Sequence, residues 1–140
     1  MRWLVLALVG AVAMAGAAFA FGGQSGNGGS AYALVNPNGG APVLIANHSS
    51  GFIDVSVGPF GPGDYCLTPA PGVNINSTAA VASMEAFYSD AIGIASVRYP
   101  TQGPTCGPNQ LEVKTWDAAT LSLSDQIAFT VNVPDQSNGQ

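Results

Sequence analysis

Few residues in this chain carry groups that could do chemistry, and they are thinly spread. His48, the single histidine, stands beside Ser49 and Ser50, the one place where a nucleophile and a base adjoin. A serine hydrolase also needs an acid to orient the imidazole, and Asp54 is the nearby carboxylate that could try. Neighbours in sequence rarely face each other as a triad requires, so the expected role of this tripeptide is a polar turn. The second route to hydrolysis is a pair of carboxylates set across a bond. Asp54, Asp64, Glu85, Asp90, Glu112, Asp117, Asp125 and Asp135 are scattered singly and read as turn or solvent-facing residues. Asp117 and Asp125 flank one loop, but their spacing is not that of a calcium loop. A lone histidine and two cysteines without a C-x-x-C cannot complete a tetrahedral metal site. A small secreted hydrolase using His48 or a carboxylate pair is therefore the alternative reading. The expected assignment is no catalytic residue, no metal and no cofactor.

Binding chemistry has a better footing. Trp116 falls in register with Glu112 and Lys114, so strand alternation puts its indole on the polar face. An exposed indole or phenol supplies apolar area while tolerating water, as sugar- and protein-binding β-domains require. Trp116, with Tyr99 and Tyr88 behind it, is the candidate ligand-binding set, and a carbohydrate-binding module using Trp116 is a further alternative. Phe60 is a weaker candidate, and Tyr65 is expected to pack beside a disulfide. Asn47-His48-Ser49 and Asn76-Ser77-Thr78 match the N-glycosylation acceptor triplet.

These groups must be positioned by a domain whose setting is written at the N-terminus. Residues 1–20 open with Arg2, continue as an apolar run and close on Ala18-Phe19-Ala20. That is the pattern of a cleaved signal peptide, with Phe21 as the new N-terminus. Export makes a disulfide the default for Cys66 and Cys106. Residues 21–30 are a Gly-rich flexible linker, 31–134 form one domain, and 135–140 are a disordered tail. Losing Arg2 leaves Arg98 and Lys114 against eight acids. A domain this acidic repels phosphate backbones and anionic lipid, so nucleic acid and membrane insertion after cleavage are not expected.

The domain's architecture follows from alternation and breakers. Gly58-Pro59-Phe60-Gly61-Pro62-Gly63 cannot continue a strand and must reverse the chain. It joins residues 52–57 to 64–68 as a hairpin. Further strands are expected at 31–35, 43–46, 79–87, 91–99, 111–116 and 127–133. Eight short strands and no amphipathic helix predict an all-β, antiparallel β-sandwich with one disulfide and a Greek-key or immunoglobulin-like topology. The expected core is Ile53, Val55, Val57, Leu67, Val81, Ile94, Val113, Ile127, Phe129 and Val131.

Three segments carry a resemblance. Tyr65-Cys66-Leu67 after the Gly-rich turn, Val113-Lys114-Thr115-Trp116-Asp117, and Ser124-Asp125-Gln126-Ile127-Ala128-Phe129-Thr130-Val131 resemble a pattern in small exported bacterial β-sandwich proteins. It covers about residues 51–133 and implies an exported bacterial β-domain, with no activity or site residues to carry over. The reading that results is a secreted domain with a structural or binding role at the cell exterior, without catalysis. Its expected partner is an extracellular polymer, a glycan or another copy of itself.

Overall fold

The computed structural model describes residues 30–76, 79–98 and 106–134. The expected leader and tail lie outside them, as do Tyr99, Asp135, the Ser77-Thr78 half of the second glycosylation triplet and all of the expected linker except Ser30. The strands are β1 (Ala31–Asn36), β2 (Val43–Leu44), β3 (Phe52–Val57), β4 (Asp64–Pro69), β5 (Val81–Met84), β6 (Gly93–Arg98), β7 (Leu111–Asp117) and β8 (Phe129–Val133). They form two four-stranded sheets, ordered β2-β1-β8-β5 and β3-β4-β7-β6, with every pairing antiparallel. The central pair of each sheet, β1–β8 and β4–β7, joins segments far apart in the chain. The result is the expected all-β sandwich of eight strands with one disulfide.

Alternation decides what lies between the sheets. Ala31, Ala33 and Val35 of β1 point inward with Phe129, Val131 and Val133 of β8. They meet Tyr65 and Leu67 of β4 and Leu111 and Val113 of β7. Tyr65 and Phe129 touch across the sandwich with ring centroids 5.3 Å apart. Tyr65 therefore belongs to the core rather than to the disulfide, whose Cys66 points to the opposite face. Burial pushes the Tyr65 phenol up to about 12, against the lowering effect of the Gly63 backbone and the Thr115 side chain.

Four expected core residues face solvent instead. Ile53 is exposed because β3 carries a bulge between Phe52 and Asp54, whereas Val57, in phase with inward Val55, is exposed as the last residue of the strand. The extra residue shifts the inward positions to Phe52 and Val55. Ile94 is exposed because β6 turns Ala95 and Val97 toward the core. Val81 is exposed because Ala82 is the β5 residue packed inward. For Ile53, Ile94 and Val81 the strand was legible and its face was not.

Side chains also set the strand ends. Expected strand 79–87 stops at Met84 because the Glu85 carboxylate accepts from the N–H groups of Phe87 (3.0 Å) and Tyr88 (2.9 Å). Expected strand 43–46 is shortened to two residues by a 3-10 turn at Ala46–His48. In the β3–β4 turn, Asp64 N–H donates to Gly61 O and Gly58 N–H to Asp64 O. Glycine is required at 58, where a Cβ would collide with the Asp64 carboxylate.

Candidate functional site

The outer faces of the two sheets hold nearly all the chemistry-bearing side chains, and they are built differently. On the second sheet, Asp64 and Cys66 of β4 stand beside Lys114 and Glu112 of β7 in register. Arg98 of β6 is paired with Glu112 in register. Cys66 is bonded to Cys106, forty residues on, with Cα atoms 5.5 Å apart. Lys114 Nζ lies 3.2 Å from Glu112 Oε1 and 3.9 Å from the centroid of the Phe60 ring. Arg98 Nη1 is 3.9 Å from the same carboxylate oxygen.

Two acids expected to face solvent are thus buried. Asp64 is 0% exposed and Glu112 3%. Asp64 Oδ2 accepts from Phe60 N–H at 3.0 Å. Its Oδ1 has no N–H donor, and its neighbour is the Glu112 carboxyl. Burial raises the pKa of Glu112, the adjacent Asp64 raises it further, and Lys114 pulls it down. Both carboxyl groups of this cluster are buried rather than open to solvent. A hydrolytic carboxylate pair stands about 5 Å or more apart to flank a bond, whereas these two touch beneath a lysine.

The outer face of the first sheet is open. A depression of about 750 Å³ is floored by β1 and β8 and lined by Tyr32, His48, Phe87, Tyr88, Thr130 and Asn132 among others. A second, of about 330 Å³, adjoins it across Phe87 and Tyr88 and is lined by Asn36, Asn38, Asp90, Asp125 and Gln126. The ridge between them is an aromatic pair. Phe87 and Tyr88 meet edge to face, with centroids 5.0 Å apart, and Phe87 is 84% exposed. The turn that carries them is fixed from below. Glu85 holds both backbone N–H groups, and Ser89 Oγ donates to Glu85 O and accepts from Ala128 N–H (2.9 Å). Across the larger depression, Tyr32 is 46% exposed, and the bonded hydroxyls of Ser83 and Thr130 sit 2.8 Å apart.

The sequence candidates are distributed unevenly over these two faces. Tyr88 and His48 line the groove on the first sheet. Trp116 is half-buried on the second sheet, opposite Ile94 and bridged to Leu123, so it shares no site with Tyr88. Tyr99 falls outside the described residues. The His48 triad does not assemble. Ser49 Oγ is held by Leu34, accepting from its N–H (3.1 Å) and donating to its carbonyl (3.4 Å). Ser50 is bridged to Tyr32 by two backbone hydrogen bonds of 2.8 Å. Asp54 is an exposed residue of the other sheet. Asp117 does not reach for a cation either: its Oδ1 accepts from Ala119 and Thr120 N–H (both 2.8 Å), which lowers its pKa. Among the described residues no group of three potential metal ligands converges.

Phe87 and Tyr32 were missed by sequence reasoning. The available signal was the inward alternation Ala31, Ala33, Val35, which forces Tyr32 outward. Glu85 placed just ahead of Phe87-Tyr88 is a capping arrangement that presents the two rings. No family model, curated protein or solved structure matches the chain.

Proposed function

We propose that this chain is a non-catalytic binding module of the cell exterior and that the groove on the first sheet is its ligand face. One observation carries the reading: Phe87 is held out at 84% exposure on a turn braced by Glu85 and Ser89. An aromatic ring left in water on a rigid turn gains nothing for folding, and it lowers the entropic cost of binding. The two depressions on either side extend the contact into an open track suited to an elongated partner rather than an enclosed small molecule. Export is supported by the Cys66–Cys106 bond, which persists in oxidising compartments. No helix among the described residues is long and apolar enough to cross a membrane. The apolar leader and the likeness to exported bacterial β-sandwich proteins point the same way.

The test is titration of the secreted protein with extracellular polymers from the producing cell, followed by NMR. Saturable shifts confined to Tyr32, His48, Phe87, Tyr88, Thr130 and Asn132 are expected, and they should vanish in Phe87→Ala. Shifts on the second sheet around Trp116 would move the ligand face there. A purely structural role would show instead as a concentration-dependent mass with no perturbation in the groove.

A further inference from the structure

We infer that the occupant of this groove is an uncharged, hydroxyl-rich glycan chain lying across β1 and β8, an inference that rests on the groove being the ligand face. Three observations select it. The first is charge. Neither depression is lined by a lysine or arginine, and Glu85, Asp90 and Asp125 border them. The two described bases, Arg98 and Lys114, are both held by Glu112 on the opposite face. A phosphate-, sulfate- or uronate-bearing polymer would meet three acids here and no lysine or arginine to pair with.

The second observation is the lining. Between the rings of Tyr32, Phe87 and Tyr88 the polar groups are largely neutral amides and hydroxyls: Asn36, Asn38, Asn47, Gln126, Thr130 and Asn132. Ring faces cover the C–H face of a sugar, while amides and hydroxyls exchange hydrogen bonds with its equatorial hydroxyls. Glu85 is the acid at the centre, and it is already committed to the backbone of the Phe87-Tyr88 turn.

The third is what the floor withholds. An extended peptide is gripped mainly through its backbone by an open strand edge. The groove is floored by β1 and β8, the two central strands, whose backbone groups are spent on their neighbours. Recognition must therefore run through side chains alone, which suits a sugar chain better than a peptide.

The experiment titrates the mature chain and its Phe87→Ala variant with four probes: neutral oligosaccharides of glucose, xylose and N-acetylglucosamine, and polygalacturonate. Oligolysine serves as a fifth arm, and backbone amide shifts locate each contact. A neutral oligosaccharide is expected to bind in the groove, unaffected by added salt, and to weaken about tenfold or more in Phe87→Ala. Because Phe87 is so exposed, that variant keeps its fold, and an unchanged spectrum elsewhere confirms it. Groove binding by oligolysine or polygalacturonate in place of the neutral sugars overturns the glycan assignment but leaves the groove as ligand face. Sugar binding that maps elsewhere and ignores Phe87→Ala overturns both. No binding of any neutral oligosaccharide overturns the glycan assignment.

Discussion

The two outer faces of this sandwich put the same kinds of residue to opposite uses. On the second sheet an aromatic ring, Phe60, lies over Lys114, and two acids sink beneath it with a disulfide alongside. On the first sheet the aromatic pair Phe87–Tyr88 stands clear, and the acid under it, Glu85, serves only to shape its turn. Burying charge costs stability unless it is matched, and matched charge is held in one geometry. Exposing an aromatic ring costs little and leaves apolar area for a partner. On the proposed reading one face fixes the fold and the other binds, a division that predicts where substitutions register.

The largest effect should come from the disulfide. Replacing Cys66 and Cys106 by serine releases a loop of forty residues, and chain entropy sets the loss at about 4 kcal/mol. Urea unfolding of the two proteins measures it. A loss well under 1 kcal/mol would mean that the covered face does not depend on its crosslink. Next comes Lys114→Met, which leaves Asp64 and Glu112 buried together with Arg98 as the remaining cation. We expect about 3 kcal/mol of destabilisation at neutral pH, recovered in part on acidification as the carboxyl pair takes up a proton. Equal losses at both pH values would show that the lysine contributes its packing on Phe60 rather than its charge.

The sequence revealed the strands and the crosslink more readily than the faces. Gly58 through Gly63 announced a hairpin, and Cys66 and Cys106 announced a bond, because breakers and cysteines act locally and leave few alternatives. The side a residue faces depends on register, which one inserted residue reverses. Ile53 shows this: perfect alternation with Val55 and Val57 is undone by a bulge at Phe52–Asp54. Asp64 and Glu112 were unreadable for another reason. A carboxylate is expected in water, and only the spatial meeting of β4, β6 and β7 supplies the cations that permit burial. Half the candidate site was visible as Tyr88 and His48; the groove itself arises from β1 and β8, nearly one hundred residues apart, a pairing no local pattern announces.

Titration sharpens the contrast further. The pKa of Glu112 is raised in the folded state, so the native protein binds a proton that the unfolded chain has already released. Its contribution to stability is present below the ordinary carboxylate range and is lost as pH rises through the folded value. Asp117, with its pKa lowered by the N–H groups of Thr120 and Ala119, acts in reverse, losing its contribution as pH falls through its own folded value. Within the Glu112 window, from the ordinary carboxylate range up to its folded value, unfolding free energy should decline as pH rises, and Glu112→Gln should flatten that slope. An unaltered slope would place the titrating group elsewhere. At the alkaline end, Tyr65 adds a further decline as pH climbs from 10.0 toward about 12.

The smallest effect on stability should be the most informative about function. Phe87 makes its contact with Tyr88 and otherwise faces water, so Phe87→Ala is expected to change unfolding free energy by no more than about 0.5 kcal/mol. The same substitution removes the apolar centre of the groove and should weaken ligand binding about tenfold or more. Glu85→Gln separates the ring from its support: Phe87 and Tyr88 N–H bond to different oxygens of Glu85, and an amide offers only one acceptor, a neutral one, so one N–H loses its partner and the turn loosens while the ring remains. Binding in Glu85→Gln should fall by less than in Phe87→Ala, with faster amide exchange at positions 87 and 88. If Phe87→Ala instead destabilised the protein as much as Lys114→Met, the exposed ring would be a structural part, and the distinction between a fixing face and a binding face would fail.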